Sequence, residues 1–140
     1  LFLLILITTP EINILFIQLI FTIWFFDTFS YLGGKLFGKK KLMPAISSGK
    51  TINGLIIGFV FSLFFSQILK YYLFTYSITF IFETILIVFL AFIGDMTVSI
   101  LKRNSRIKDS GNIMPGHGGL LDRFDSFILV FLVIGLTYTI

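Results

Sequence analysis

The chain has 140 residues, among them 11 Lys and Arg against 7 Asp and Glu, for a formal net charge of +4. Charged residues are 13% of the sequence, about half the share in an average soluble domain, whereas apolar residues reach 56%, with 19 Phe and a mean hydropathy of +1.00. A water-facing domain of this length cannot hide so much apolar surface, so a soluble enzyme, a secreted disulfide scaffold and a disordered tail are excluded. What remains is an all-α, polytopic transmembrane bundle.

The chain opens on Leu1 inside an apolar run, 1–7, with no initiator Met, basic segment or small-residue cleavage site. That run reads as a truncated span, not a signal peptide, and a longer chain is expected to precede it. Thr8, Thr9, Pro10 and Glu11 separate it from the first complete span, expected at about 12–32, with Trp24 and Tyr31 toward its far end as interface aromatics. A stretch too polar to cross follows at 33–51, holding Gly33, Gly34, Gly38, Pro44 and Gly49. A second span covers about 52–69 and ends at Lys70, Tyr71 and Tyr72. A third is expected at about 77–101, its helix continuing out of the apolar layer toward Arg103. After the polar segment 102–123, the last span is about 124–140. With no cysteine there is neither a disulfide nor a thiolate site.

Basic residues favour the cytoplasmic side of short loops. Lys35, Lys39, Lys40, Lys41 and Lys50 fall in the first polar stretch, Lys102, Arg103, Arg106, Lys108 and Arg123 in the second, and only Lys70 elsewhere. Two crossings separate the two stretches, so both emerge on one face. The run Lys39 to Lys41 has two readings, an anchor on anionic headgroups or a direct contact to phosphates.

A carboxylate in or near hydrocarbon is costly and marks a functional site by default. Asp27, Asp95, Asp109, Asp122 and Asp125 all map to the basic side, whereas Glu83 lies toward the opposite half of the third span. Acids brought by separate helices to one depth suit a divalent cation, Mg²⁺ above all, which takes oxygen ligands and keeps waters for a phosphate-bearing substrate. The competing reading pairs each acid with a neighbouring cation, and for Asp109 beside Lys108 it is the better one. If the third helix continues, Ser99, Lys102 and Arg106 share a stripe with Asp95. A fourth helix beginning at Asp122 would align Asp122, Asp125 and Ser126. Between them, Pro115-Gly116-His117-Gly118-Gly119 cannot be regular helix, and its glycines allow close backbone approach to a ligand. His117, the single histidine, has three open roles: general base, phosphate donor or turn residue.

These residues carry a resemblance. Ser99-Ile100-Leu101-Lys102-Arg103, Lys108-Asp109-Ser110-Gly111 and Pro115-Gly116-His117-Gly118-Gly119-Leu120-Leu121-Asp122-Arg123-Phe124-Asp125 together resemble the signature of the phosphatidate cytidylyltransferase, or CDP-diacylglycerol synthase, family. Asp27-Thr28 with Tyr31, Phe37-Gly38-Lys39, Lys41-Leu42, Pro44, Ser47, Lys50-Thr51, Gly54 and Gly94-Asp95 agree with it.

The resemblance implies that residues 1–140 are the C-terminal, membrane-embedded catalytic part of a chain about twice as long. It implies transfer of CMP from CTP to phosphatidate with Mg²⁺, giving CDP-diacylglycerol and pyrophosphate. Asp95 and Asp122 fill the family's metal positions, with Asp125 as a supporting acid. Lys102, Arg103 and Arg123 would offset phosphate charge, while Ser99 and the Gly118-Gly119 backbone would donate hydrogen bonds. Ser47, Lys50 and Thr51 fill the family's first polar motif and, with Asp27, Lys108 and His117, complete the expected substrate-binding set. In that motif the family usually reads Ser-Pro-Lys-Lys-Thr-Trp-Glu-Gly. Here Ser47-Ser48-Gly49-Lys50-Thr51-Ile52-Asn53-Gly54 lacks both the aromatic and the acid.

Expected partners are CTP, phosphatidate and the bilayer, with no nucleic acid; a homodimer is compatible with the sequence. The expected location is a bacterial inner membrane with the site facing the cytoplasm. Two rival functions are a CTP-dependent polyprenol or phytol kinase, which would release CDP, and a cation transporter or channel.

Overall fold

In a computed structural model of the chain, residues 10–44, 46–73, 79–107 and 121–137 are described. In chain order they form α1 (Pro10–Phe37), β1 (Lys41–Met43), β2 (Ser47–Thr51), α2 (Ile52–Leu73), α3 (Thr79–Asn104) and α4 (Leu121–Thr137). Among the described residues, three helices are long and apolar enough to cross a membrane, with spans at Phe16–Phe37, Ile52–Tyr72 and Ile81–Asn104. Helix α4 is shorter, 17 residues or about 26 Å, and its first turn carries Asp122, Arg123 and Asp125. Its described apolar stretch is Phe124–Val133, less than the roughly 20 residues a full crossing takes.

Leu19 and Ile23 of α1, Ile87, Leu90 and Ala91 of α3 and Val130 of α4 form the core. Outward, Ile56, Val60 and Phe64 on α2, Phe82 and Phe89 on α3, and Ile128 and Leu132 on α4 are exposed at helical spacing. Such faces suit hydrocarbon, not water.

Helices α1 and α2 meet along small residues. Gly54, Gly58, Ser62 and Ser66 recur every fourth position and are buried, one stripe of α2. A Cβ on Gly54 would lie 2.5 Å from the Ser30 carbonyl oxygen and 2.9 Å from Gly34 Cα, and one on Gly33 would lie 2.8 Å from Ile57 Cβ. Close backbone approach of this kind is how helices associate where lipid removes the hydrophobic drive. Farther along the seam the Thr22 and Ser66 hydroxyls are 2.6 Å apart. Phe25 stacks on Phe65 and Phe29 on Phe61, each at 4.7 Å between ring centroids.

This seam explains why α1 outruns its expected end at about 32. Gly33 and Gly34 each cost a helix roughly 1 kcal/mol relative to Ala, but they admit α2, and packing overrides the propensity. The helix stops at Phe37, whose carbonyl accepts the Asn53 amide at 2.7 Å.

The polar stretch also holds a two-stranded antiparallel sheet, which the sequence did not announce. Lys41 pairs with Thr51 and Met43 with Ser47, with an irregularity between. Such a hairpin is marginal alone. At its base the Ile52 amide donates to the Lys40 carbonyl at 3.1 Å, and β2 passes into α2 with no intervening residue. Thr51 Oγ1 accepts the Gly54 N–H at 3.1 Å, capping α2.

Helix α3 ends in a Schellman turn: the Ile107 amide donates to the Lys102 carbonyl and the Arg106 amide to the Arg103 carbonyl, at 3.0 and 2.9 Å. Arg106 has φ 57°, the left-handed conformation usual at this position. It therefore lies beyond the helix and leaves the Asp95 stripe on which an unbroken helix would have placed it.

Candidate active site

The end of the bundle that gathers the basic residues holds a cavity of about 630 Å³. Asp27 and Tyr31 reach it from α1, Lys41 and Lys50 from the hairpin, Asp95 from α3, and Asp125 and Ser126 from α4. The carboxylates meet because α3 and α4 cross tightly beside them. A Cβ on Gly94 would lie 2.8 Å from the Asp125 carbonyl oxygen, so the absence of a side chain there lets Asp95 and Asp125 become neighbours.

Asp27, Asp95 and Asp125 are near enough to one another for their charges to interact. Lys50 forms an ion pair with Asp95, and its Nζ lies 3.4 Å from Met96 Sδ. Ser126 Oγ is 3.4 Å from Asp27 Oδ1 and 3.5 Å from Asp125 Oδ1, with one proton to donate to either. The Ser126 backbone N–H donates to Asp125 Oδ1 at 2.8 Å. Ser99, one turn after Asp95, donates to Asp95 Oδ1 at 3.5 Å. The result is a set of carboxylate and hydroxyl oxygens offset by the Lys50 ammonium paired to Asp95, open on one side and bounded by Phe26, Leu55 and Phe92.

Of the residues expected from sequence, Asp27, Lys50, Thr51, Asp95 and Asp125 share this cavity. Thr51 is buried and committed to the α2 cap. Lys102 lines a second, largely apolar cavity of about 330 Å³ with Leu101, Ser105, Ile128 and Leu129, yet remains close enough to Asp125 for their charges to interact. Arg103 faces backbone carbonyls, with Nε 3.0 Å from the Ile46 oxygen and Nη1 3.1 Å from the Ile107 oxygen. Ser47 opens β2 and pairs with Met43. Asp122 and Arg123 stand in the first turn of α4, but their side chains lie outside the described residues, as do Lys108, His117, Gly118 and Gly119 altogether. Among the described residues no group of three or more Asp, Glu or His is arranged to hold a metal by itself.

Lys35, Tyr31 and Ser126 line the cavity without having been expected there as site residues, and Lys41, from the run with two open readings, lines it too. The two lysines carry the same sequence signal as any topology-setting cation, and Tyr31 that of any interface aromatic. Ser126 alone was readable, since it stands four residues after Asp122 on one helical stripe. Asn53, where the resembling family has an acid, donates an amide hydrogen to the end of α1, a bond a carboxylate cannot donate.

An apolar helical bundle with a polar cavity of acids and lysines at one end is the architecture of a membrane-embedded protein. The chain belongs to the Cytidylyltransferase family, which it matches over residues 1–140. It is 45% identical over 136 residues to the phosphatidate cytidylyltransferase of Rickettsia typhi (strain ATCC VR-144 / Wilmington), covering 91% of this chain and 60% of that protein. It is 44% identical over 110 residues to that of Staphylococcus haemolyticus (strain JCSC1435) and over 111 residues to that of Bacillus subtilis (strain 168), covering 77% of this chain each time and 42% and 41% of those proteins. The chain thus spans between two fifths and three fifths of these relatives, and it is an integral membrane protein.

Proposed function

We propose that the protein to which these residues belong transfers the CMP moiety of CTP to phosphatidate, yielding CDP-diacylglycerol and pyrophosphate. The observation that carries this reading is the convergence of Asp27, Asp95 and Asp125 with Lys50 on one cavity at the basic end of the apolar helices, in a chain of this family. A phosphate oxygen of the lipid attacks the α-phosphorus of CTP, and the bond from that phosphorus to the bridging oxygen breaks as pyrophosphate leaves. The reaction needs alignment and charge neutralisation and no protein nucleophile.

The donors in the cavity are all oxygen, the chemistry Mg²⁺ prefers, and an ion that keeps several waters needs only one or two carboxylates from the protein. Asp95 and Asp122, supported by Asp125, would hold Mg²⁺, which when bound neutralises triphosphate charge. Lys50, Lys102 and Arg123 add positive charge from the protein. Ser99 orients Asp95 through its hydrogen bond. Lys108, His117 and the Gly118-Gly119 backbone, along with Ser47, would complete the polar surface for substrate, while Thr51 serves it from beneath by capping α2. A site at bilayer depth lets the lipid phosphate arrive without leaving its leaflet, and the basic residues favour a cytoplasmic-facing site in a bacterial inner membrane.

The test is Mg²⁺-dependent transfer of label from CTP into lipid by the full-length protein. Asp122→Ala is expected to abolish transfer, and a fully active Asp122→Ala protein would overturn the metal assignment. Release of CDP in place of pyrophosphate would identify a lipid kinase instead.

A further inference from the structure

Arg103 looks from sequence like one more cation for phosphate, beside Lys102 and about two helical turns from Asp95. Its guanidinium nevertheless turns to two backbone carbonyls in different parts of the fold. Nε donates to Ile46, in the turn between β1 and β2, and Nη1 to Ile107, just past the end of α3. The hairpin it reaches is thinly supported elsewhere. Lys41 and Met43 are exposed, and a Cβ on Gly49 would meet nothing within 4 Å. At its base the hairpin is fixed by the Lys40–Ile52 hydrogen bond and the Thr51 cap. Its tip is held to α3 by Arg103. Between base and tip, β2 carries Lys50, which pairs with Asp95.

We infer that Arg103 is a positioning residue: it fastens the tip of the β-hairpin to the end of α3 and so sets where Lys50 stands over the carboxylate cavity. A planar guanidinium offers two N–H donors in a fixed fork, which suits two carbonyls at once; a lysine ammonium keeps the charge and loses the fork. Charge and geometry can therefore be separated. The functional arm rests on the cytidylyltransferase reading, and the structural arm does not.

The functional arm is a double-mutant cycle on the full-length protein in liposomes. Arg103→Lys is expected to lower kcat for CTP-dependent transfer about tenfold, with KM for CTP changed by less than about twofold, because a small misplacement of a charged group lowers rate more than binding. Lys50→Met should lower kcat by at least as much. In a Lys50→Met background Arg103→Lys should cost less than about twofold more, since residues acting through one contact are not additive. Independent, multiplicative losses would overturn the inference, as would an Arg103→Lys protein with wild-type kcat or one whose loss lies in a raised KM for CTP. The structural arm uses spin labels on cysteines placed at the exposed Met43 and Asn104 of the full-length protein, these 140 residues having no cysteine and any elsewhere being replaced by Ser. The distance distribution should broaden in Arg103→Lys, and an unchanged distribution would also overturn the inference. If the unaltered protein transfers nothing from CTP while the distribution broadens, the function is wrong and the strut stands.

Discussion

Along the α1–α2 seam two backbones approach until no side chain fits between them, whereas at the basic end the helices and the hairpin enclose about 630 Å³ lined by three acids. Both arrangements depend on glycine. Gly33, Gly34, Gly54 and Gly58 of the seam remove volume so that the helices close, and farther along the Thr22 and Ser66 hydroxyls pair across it. Gly94 removes volume too, but the closure it permits brings Asp95 and Asp125 together beside a space that stays open. The seam is a place where added atoms should cost stability, and the cavity one where changed charge should cost chemistry.

Of the changes that set the two regions apart, the largest effect should come from Asp95→Asn, which keeps the shape and removes the charge that pairs with Lys50. Transfer from CTP by the full-length protein is expected to fall about 100-fold or more, the scale of losing one preorganised electrostatic contact. The thermal midpoint in detergent should stay where it was. A comparable loss of stability would erase the distinction between the two regions. Gly54→Ala should do the reverse, forcing a methyl against the Ser30 carbonyl and the Gly34 backbone at a cost of about 1–3 kcal/mol. Chemical unfolding in mixed micelles would show it, and an unperturbed Gly54→Ala protein would mean the seam has slack. Smallest is Thr22→Val, which removes the hydroxyl pair with Ser66. Its expected cost is about 0.6 kcal/mol, the average for hydrogen bonds between membrane helices.

Much of this was legible. Uninterrupted apolar runs give the helices that can cross, and the gathering of cations and acids into the intervening stretches points to one polar end. Asp27, Asp95, Asp125 and Lys50 do meet in one cavity. The seam was not seen, because Gly33 and Gly34 act as helix breakers unless a partner helix needs their missing side chains, and that partner begins about 20 residues later. Strands of three and five residues are too short for alternation to register, and the hairpin's supports, Arg103 among them, are distant in sequence. The end of α3 was expected near Arg103 and falls at Asn104, but the turn that takes Arg106 off the Asp95 stripe was hidden for a related reason. Its left-handed residue is Arg106, where glycine would have announced the stop. Arg103 shows the limit most plainly, since a guanidinium fit for phosphate is equally fit for carbonyls.

Because Thr51 closes β2 and Ile52 opens α2, the pleat of the hairpin and the rotational phase of a membrane helix are geared together. A residue inserted in the turn around Ile46 could be absorbed locally. One inserted between Thr51 and Ile52 would turn α2 by about 100° about its axis, swinging Gly54, Gly58, Ser62 and Ser66 off α1 toward lipid and offering α1 a bulkier face. Length variation in this protein should therefore be tolerated at the hairpin's tip and refused at its root.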